Sequence, residues 1–295
     1  MAPPVLEDFQ FQFRDDGVLL NGDPNTGEPF VDVLKVSGLD SATYRTSQKD
    51  TEGRDGSTVE AEFESSRTII VEGIVYGQTH DQMEPYIDDL KANFAVNKEH
   101  MPFYFKAAGV DQRLSMVKCI SGFRSDWDAM RRIATASFSV TLQAGDPIIY
   151  GANQYIWSGA LTNTPMPGFE FPFEFPFDFG EYTGGVIGAF TATHYGNRPA
   201  PFVATFTGNG AHDIGLRHEG LGQQVTFNPN LVLNLGDELV VDFNTRKVLF
   251  NGSPRRGAVA REGWFLLQPN GPNDLRLLSG AGTAAVSVAT RNAWR

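Results

Sequence analysis

Phenylalanine occupies every odd position from residue 169 to residue 179, and glutamate, aspartate or proline occupies every even position. A period of two is that of an extended strand, so the rings lie on one face and the acids and prolines on the other. Pro172 and Pro176 remove two backbone N–H donors from one edge of that strand. The pattern predicts an edge strand or an extended arm. We call its rings the Phe ladder: Phe169, Phe171, Phe173, Phe175, Phe177 and Phe179.

The Phe ladder carries more apolar surface than a soluble chain usually leaves in water. Its rings together offer on the order of 1,000 Å², whereas an exposed patch on a monomer rarely exceeds about 300 to 600 Å². The ladder is therefore expected to pack either on the core of its own domain or on a neighbouring subunit, as an assembly interface. The local sequence does not separate these two interpretations.

Charge and cysteine content argue against several classes of protein. The formal net charge of −11 disfavours a nucleic-acid-binding face, which needs clustered lysine and arginine. The same charge suits a conduit through which DNA slides without being held, and equally an acidic solvent-facing surface. Cys119 is the only cysteine, so neither a disulfide framework nor a cysteine-based zinc site is expected. The sequence shows neither a secretory signal nor an apolar run long enough to span a membrane.

The first half of the chain predicts short strands and one helix. Apolar runs place strands at 31–36, 59–63, 68–76, 103–106, 114–120 and 132–142. From about residue 81 to 97 the apolar period becomes helical, and Asp81 with Glu84 forms a capping-box pattern. Cys119 is expected to be a small buried side chain. We place an N-terminal β domain at 1–147 and a Phe/Pro-rich connecting arm at 148–183.

The second half contains only strand patterns. Runs at 202–206, 214–217, 224–227, 231–235, 239–243, 248–250, 264–267, 275–278 and 286–289 are separated by glycine- and asparagine-rich turns. Such spacing is typical of a β-sandwich or barrel. The predicted class is mainly β, with a second domain at 184–295.

Two stretches carry a family resemblance. Residues 236–252 read Gly-Asp-Glu-Leu-Val-Val-Asp-Phe-Asn-Thr-Arg-Lys-Val-Leu-Phe-Asn-Gly, and residues 67–73 read Arg-Thr-Ile-Ile-Val-Glu-Gly before the helix. The first resembles a hairpin in the galectin-like C-terminal sandwich of distal tail proteins from phages with long, non-contractile tails. The second resembles a strand of their N-terminal domain, a two-sheet split barrel or sandwich with one helix. The order of elements extends the resemblance to most of the chain.

The resemblance implies a structural protein of the virion tail tip, made in the host cytoplasm. It implies a homo-hexameric ring that joins the tail tube to the adsorption apparatus and leaves a channel for DNA. The implied partners are further copies of the chain, the tail tube protein, the hub or tip proteins and the tape-measure protein, with no stable nucleic-acid binding. No enzyme activity and no cofactor are expected.

Few residues suggest other chemistry. No catalytic, cofactor-binding or metal-binding residues are predicted, and His212 and His218 are expected to be exposed loop residues. The main alternative is a carbohydrate-binding module that attaches a virion or surface protein to host glycans. In that interpretation Trp264 is the candidate glycan contact, with Arg217, His218 or Arg276 as polar partners. A weaker alternative is a glycan hydrolase that uses the carboxylates at 170, 174 and 178, although their spacing on one strand face favours a solvated surface.

Overall fold

The computed structural model describes residues 3–40, 44–50, 55, 57–96, 98–127, 129–162 and 188–295, without the side chains of 48–50, 57–62 and 162. The chain divides into two compact units. Unit 1 contains Met1–Asn153 together with Trp294–Arg295, and unit 2 contains Gln154–Ala293. Both consist of antiparallel sheets, which confirms the mainly β prediction.

The described residues of unit 1 form eleven strands and one α-helix before the chain enters unit 2. The strands are β1 (Phe11–Phe13), β2 (Leu19–Leu20), β3 (Phe30–Ser37), β4 (Tyr44–Asp50), β5 (Ser57–Glu64), β6 (Arg67–Tyr76), β7 (Met101–Phe105), β8 (Arg113–Cys119), β9 (Arg124–Ser125), β10 (Thr135–Ala144) and β11 (Ile149–Gly151). The helix α1 spans His80–Asn93, and short 3-10 helices span Pro24–Thr26 and Ala129–Ile133.

Strand β8 joins the two parts of the main sheet of unit 1. Its first residues pair with β7, while Lys118 and Cys119 pair with β10. The strand order is β2-β1-β7-β8-β10-β6-β3, with β9 and β11 paired beside it. The last two residues, Trp294 and Arg295, return to this unit. The strand β23 (Ala293–Trp294) pairs with β11.

The core of unit 1 follows from alternation in its long strands. Ile69, Val71 and Val75 of β6 are fully buried, and so is Val140 of β10. Each such side chain contributes about 1.5–3 kcal/mol by leaving water. The thiol of Cys119 is also buried, which confirms the prediction for this residue, and it lies 3.0 Å from the carbonyl oxygen of Phe94.

Helix α1 is shorter than its apolar pattern predicts. It begins after Thr79 and ends at Asn93, because the Phe94 ring turns into the core and stacks on Phe13 at 5.1 Å. The predicted capping box is wrong. Thr79 makes no side-chain cap, and the Glu84 carboxylate binds Arg131 instead of a helix N–H group.

Strands β4 and β5 form a separate two-stranded sheet in unit 1. Among the described residues they pair with each other and with no other strand. Tyr44 and Phe63 on this hairpin are both more than half exposed. An isolated two-stranded hairpin is only marginally stable in water.

The described residues of unit 2 form two sheets. Its strands are β12 (Tyr155–Thr162), β13 (Ala189–His194), β14 (Phe202–His212), β15 (Gly215–His218), β16 (Gln223–Phe227), β17 (Glu238–Asp242), β18 (Lys247–Phe250), β19 (Ser253–Pro254), β20 (Val259–Glu262), β21 (Gly271–Leu278) and β22 (Ala281–Thr290). One sheet has the order β12-β22-β14-β17-β18-β19 and the other β13-β21-β15-β16-β20. Fully buried side chains from both sheets, among them Phe206, Leu216 and Leu239, form the sandwich core.

The connection between the two units differs from the predicted connecting arm. Strands β11 and β12 lie within 148–183, so the first fifteen residues of that stretch include paired strands of both units. The division between the units falls after Asn153 instead of at residue 147. Two predicted strands of unit 2, at 231–235 and 264–267, have only one bridging residue each, Leu233 and Leu267.

Candidate interaction surfaces

The Phe ladder, Phe169 to Phe179, lies outside the described residues. The residues on either side of it fix where the segment must start and end. Among the described strands, β12, which ends at Thr162, lies at an edge of the six-stranded sheet, and β13, which follows Gly188, lies at an edge of the five-stranded sheet. The segment 163–187 therefore connects the edges of the two sheets of unit 2.

The family-like hairpin is β17 and β18, closed by a network of polar side chains. Asn251 accepts a hydrogen bond from the Glu238 N–H at 2.8 Å and donates one to the Asp237 carboxylate at 2.8 Å. The Asp237 carboxylate also accepts from the Asn234 N–H at 2.9 Å. These bonds lower the pKa of Asp237, first through Asn251 and then through the Asn234 backbone. The sequence motif therefore specifies how this hairpin is closed.

Trp264 is half-buried beside the sandwich core. Its ring lies edge-on to Phe243 with centroids 5.4 Å apart, and its indole Nε1 donates to Glu262 at 3.4 Å. Of its predicted polar partners, His218 is buried in the core, where its Nε2 contacts Asn273 at 3.0 Å. This position suits a side chain that packs unit 2 together. The glycan role of Trp264 stays a prediction.

The other two predicted partners of Trp264 meet at one carboxylate. Glu219 lies 2.6 Å from the Arg276 Nε and 3.4 Å from the Arg217 Nε. Arg217 and Arg276 are cross-strand neighbours on β15 and β21, which places their side chains on the same face of the five-stranded sheet. This cluster is a compact ion-pair network on a partly exposed surface.

The histidines of unit 2 differ from the sequence prediction. His212 is partly exposed and its Nδ1 lies 2.8 Å from Asp213, whereas His218 is buried, so the prediction of an exposed loop residue is wrong for His218. His194, for which we predicted no position, is fully buried between Asn292 and the Arg198 carbonyl oxygen. His218 lies two residues after the buried Leu216 on β15, so both side chains face the same side of the sheet. This spacing is the sequence signal from which the burial of His218 could have been predicted.

Unit 1 contains an open cavity of about 570 Å³ with a mixed lining. Phe9, Phe11 and Leu39 form part of its apolar wall, and Lys35, Lys106 and Arg113 bring positive charge to it. Burial lowers the pKa of Arg113, and the neighbouring Asp111 opposes that shift. The Arg113 guanidinium lies 4.4 Å from the centre of the Trp294 ring, and Lys106 pairs with Asp8 at 3.2 Å. The cations are thus engaged within unit 1.

Two kinds of site are absent from the described part of the chain. No group of three or more histidine, cysteine, aspartate or glutamate side chains is placed to hold a metal ion there. No helix in that part is long and apolar enough to cross a membrane.

Comparison with known proteins gives a match in the second unit. A model of the siphovirus-type tail component, C-terminal domain, matches residues 195–294. This match covers β14 to β22, including the hairpin 236–252. The resemblance to distal tail proteins is confirmed.

Solved structures share the fold of this chain over almost its full length. The Dit protein of phage SPP1, described as a paradigm of the hub adsorption apparatus in phages that infect Gram-positive bacteria, superposes with a TM-score of 0.63 at 13% identity. The match covers 96% of this chain and 98% of that protein. A chain of the phage P2 baseplate, in its activated conformation with Ca, gives a TM-score of 0.50 at 10% identity, with 95% of this chain and 97% of that chain covered. No curated protein matches the chain.

Proposed function

We propose that this chain is a distal tail protein: a structural component of a siphophage tail tip that acts by assembly. The main support is that the chain shares one fold with the SPP1 Dit protein across both units, while unit 2 also matches a tail-component family by sequence. A single shared domain would be weaker support, because one fold hosts many functions. The same combination supports a place in the tail of the virion.

The assembled form in this proposal is a ring of six copies that joins the tail tube to the adsorption apparatus. Its partners are the tail tube protein, hub or tip proteins and the tape-measure protein. Two features support assembly: the β4–β5 hairpin pairs only with itself among the described residues, and the Phe ladder offers a large apolar surface. Both are expected to be buried against neighbouring subunits.

The central passage of the ring is proposed to let DNA move without holding it. Six copies would multiply a formal charge of −11 per chain. Lysine and arginine contacts to phosphates produce most of the affinity of proteins for DNA, so a channel lined by net negative charge would not retain a duplex. In this proposal the protein contributes shape, contact and charge, and no chemical step.

Labelling of intact particles tests the location. Antibodies raised against unit 2 are expected to bind at the tail tip of purified virions, where electron microscopy resolves one end of the tail. Antibodies against the capsid protein serve as the control. Absence of the chain from purified particles, or label on the capsid alone, would contradict the proposal.

The mass of the purified chain tests the ring. Native mass spectrometry is expected to give a closed oligomer near six times the 32.4 kDa chain mass. The wild-type chain at the lowest concentration serves as its own control for dissociation. A monomer at every concentration would overturn the ring, while location in the tail tip would still stand on the labelling result.

A further inference from the structure

One edge of unit 2 is positively charged in an otherwise acidic chain. From Asp242 to Glu262 the sequence has five cations and two acids, a local net charge of +3 in a chain whose net charge is −11. The five cations are all exposed, and we call them the basic edge: Arg246, Lys247, Arg255, Arg256 and Arg261. The net charge of the whole chain conceals this surface.

Strand pairing brings the residues of the basic edge together. Strand β18 pairs with β19, and the Arg255 N–H continues that ladder by donating to the Val248 carbonyl oxygen at 2.9 Å. Arg255 and Arg256 therefore lie beside the start of β18, Lys247, at about the 4.8 Å spacing of paired strands. The chain then passes through the 3-10 helix Arg256–Ala258 to β20. Among the described strands, β19 and β20 each lie at an edge of their sheet, so this side of the sandwich is lined by cations.

The two acids in this stretch leave the basic edge without ion pairs. Asp242 is the cross-strand neighbour of Lys247, but its carboxylate accepts hydrogen bonds from the backbone and the hydroxyl of Thr245 in the adjoining turn. Glu262 accepts from the Trp264 indole at 3.4 Å. Within the described chain, none of the five cations has an ion pair or a side-chain hydrogen bond. Their donors are therefore available to an anionic partner.

The surroundings of the basic edge are polar. The segment 228–234, whose Asn228 N–H donates to the Ala258 carbonyl oxygen at 2.7 Å, has no charged residue. In the described chain no large apolar side chain between residues 236 and 295 is exposed. A protein interface needs an apolar centre, and a site for single-stranded nucleic acid needs exposed aromatic rings on which bases stack. This surface offers cations without either feature.

We propose that the basic edge binds a flexible phosphodiester polymer whose repeating units carry no bases. Four of its five cations are arginines, and a guanidinium group presents paired N–H donors that match the oxygens of a phosphate. A flexible polymer can bring several phosphates to this edge alone. Duplex DNA is stiff over about 150 base pairs, so it would also have to lie along the acidic remainder of the molecule. The inference concerns unit 2 and does not depend on the proposed ring.

Binding of poly(glycerol phosphate) to the purified full-length chain tests this proposal. Fluorescence anisotropy of the labelled polymer gives the dissociation constant between about 50 and 200 mM salt. The wild type is expected to bind, and a plot of the logarithm of the dissociation constant against that of the salt concentration should have a slope of about 2 to 3. This slope corresponds to three or four phosphate contacts at about 0.7 each. Neutral polyglycerol of the same length is the control for the backbone.

Two double variants locate the contact. Arg255→Gln with Arg256→Gln is expected to weaken binding by about tenfold or more and to lower the salt slope by about 1. Arg124→Gln with Arg132→Gln removes the same charge from exposed positions of unit 1 and should leave the dissociation constant within about twofold of the wild type. Because all four side chains are exposed, both variants should melt as the wild type does.

Each result of these measurements supports or overturns the proposal. Loss of binding in the Arg255 and Arg256 variant alone supports it. No binding by the wild type at about 50 mM salt, an affinity that does not change with salt, or equal loss in the unit 1 control would overturn it. Equal affinity for duplex DNA would assign the surface to nucleic acid, and equal affinity for a polyuronate would assign it to carboxylates, so either result also overturns it. The location of the chain in the tail tip is tested separately by labelling of virions.

Discussion

Arg67 shows how one buried polar side chain fixes several chain segments of unit 1. Its Nη1 donates to the carbonyl oxygens of Gly38 and Leu39 at 2.9 and 2.7 Å, while Nε and Nη2 donate to that of Pro147. The side chain is only 2% exposed. A lysine cannot reproduce this fork, because its donors surround a single nitrogen atom.

Arg67→Lys is therefore expected to destabilise the protein by about 2–4 kcal/mol, since several carbonyl groups would be left without donors. Urea unfolding followed by circular dichroism measures this change. Arg124→Lys, at an exposed position, is the control and is expected to stay within about 0.5 kcal/mol of the wild type. If both variants have the same free energy of unfolding, the hydrogen bonds of the Arg67 guanidinium contribute little to stability.

Tyr86 gives the protein a specific response to alkaline pH. Burial, with a smaller contribution from Asp89, raises the pKa of Tyr86 from 10.0 to about 12. Above pH 10 the unfolded chain loses the phenolic proton while the folded chain keeps it, so the free energy of unfolding falls as pH rises from about 10 to 12. The loss is up to about 2 kcal/mol. Tyr86→Phe should remove this part of the pH dependence, which denaturant titrations at pH 9 and pH 11 measure. If the free energy of unfolding falls by the same amount between pH 9 and pH 11 in the wild type and in Tyr86→Phe, the assignment to Tyr86 is contradicted.

At the residue scale the sequence predicted burial better than it predicted partners. Alternation identified the inward residues of β10, such as Val140, because a strand with one covered face must have a period of two. The pairing of Glu84 with Arg131 joins residues 47 positions apart. Sequence spacing carries no information about such a contact, and the capping box was the local alternative.

Gly73 explains why a glycine occurs in the middle of β6, a central strand. A Cβ atom at this position would lie 2.3 Å from the Asp32 carbonyl oxygen and 2.7 Å from a ring carbon of Phe138. The neighbouring strand β3 and the core ring would both have to move.

Gly73→Ala should cost about 2–4 kcal/mol by overpacking. Gly22→Ala, where nothing lies within 4 Å of the new methyl group, is the matched control in the same unit and should be near neutral. Chemical denaturation measures both variants. If Gly73→Ala left the free energy of unfolding unchanged, β3 and β6 would separate more easily than their pairing suggests.

The hydrogen bonds that close the β17–β18 hairpin can be tested by measuring the pKa of one carboxylate, that of Asp237. Asn251 has a φ of 47°, a left-handed conformation that glycine also adopts readily. Asn251→Gly keeps this backbone conformation but removes the donor to Asp237. The pKa of Asp237, now lowered mainly by that bond, should rise toward its ordinary value in a carboxyl NMR titration.

The sign of the linked stability change follows from the same shift. Because the pKa of Asp237 is lowered, the ionised carboxylate stabilises the hairpin at a pH above the ordinary pKa of aspartate. This contribution is lost as the pH falls through the pKa of the folded protein. Asn251→Gly should weaken that acid dependence, whereas Asn244→Gly, in the turn of the same hairpin, should leave the pKa of Asp237 unchanged. An unaltered Asp237 titration in Asn251→Gly would contradict the assigned cause.

At the scale of secondary-structure elements, the predicted strands were confirmed where a strand is both long and paired. The runs at 231–235 and 264–267 alternate as strands do, and Leu233, Phe265 and Leu267 are indeed buried. They do not form strands, because each contributes one bridging residue and no continuous ladder. Periodicity reports which side chains face the core, whereas hydrogen-bond pairing depends on a neighbour distant in sequence. Strands of two or three residues, such as β2, are too short to show any period.

At the scale of the whole molecule, two-unit organisation and mainly β character were readable from turns and apolar runs. The limits of the units were not, because β11 and β12 lie in a stretch whose composition is dominated by the following Phe ladder. The described parts of both units have cores that do not include the ladder, with Phe13 and Phe103 in unit 1 and Phe206 and Phe227 in unit 2. If the ladder packs on neighbouring subunits, as proposed, assembly and folding can be perturbed independently.

Replacement of Phe173, Phe175 and Phe177 by serine is therefore expected to impair assembly more than folding. The change removes three apolar rings from the surface proposed to join subunits, so the oligomer measured by light scattering should shift to smaller species, while circular dichroism and the melting of the separate chains stay close to those of the wild type. Replacement of the same three residues by leucine keeps most of the apolar area and should retain the oligomer better than serine does. A serine variant of unchanged oligomer size would show that the ladder packs within its own chain, and a serine variant that fails to fold would show that the ladder completes the core of unit 2.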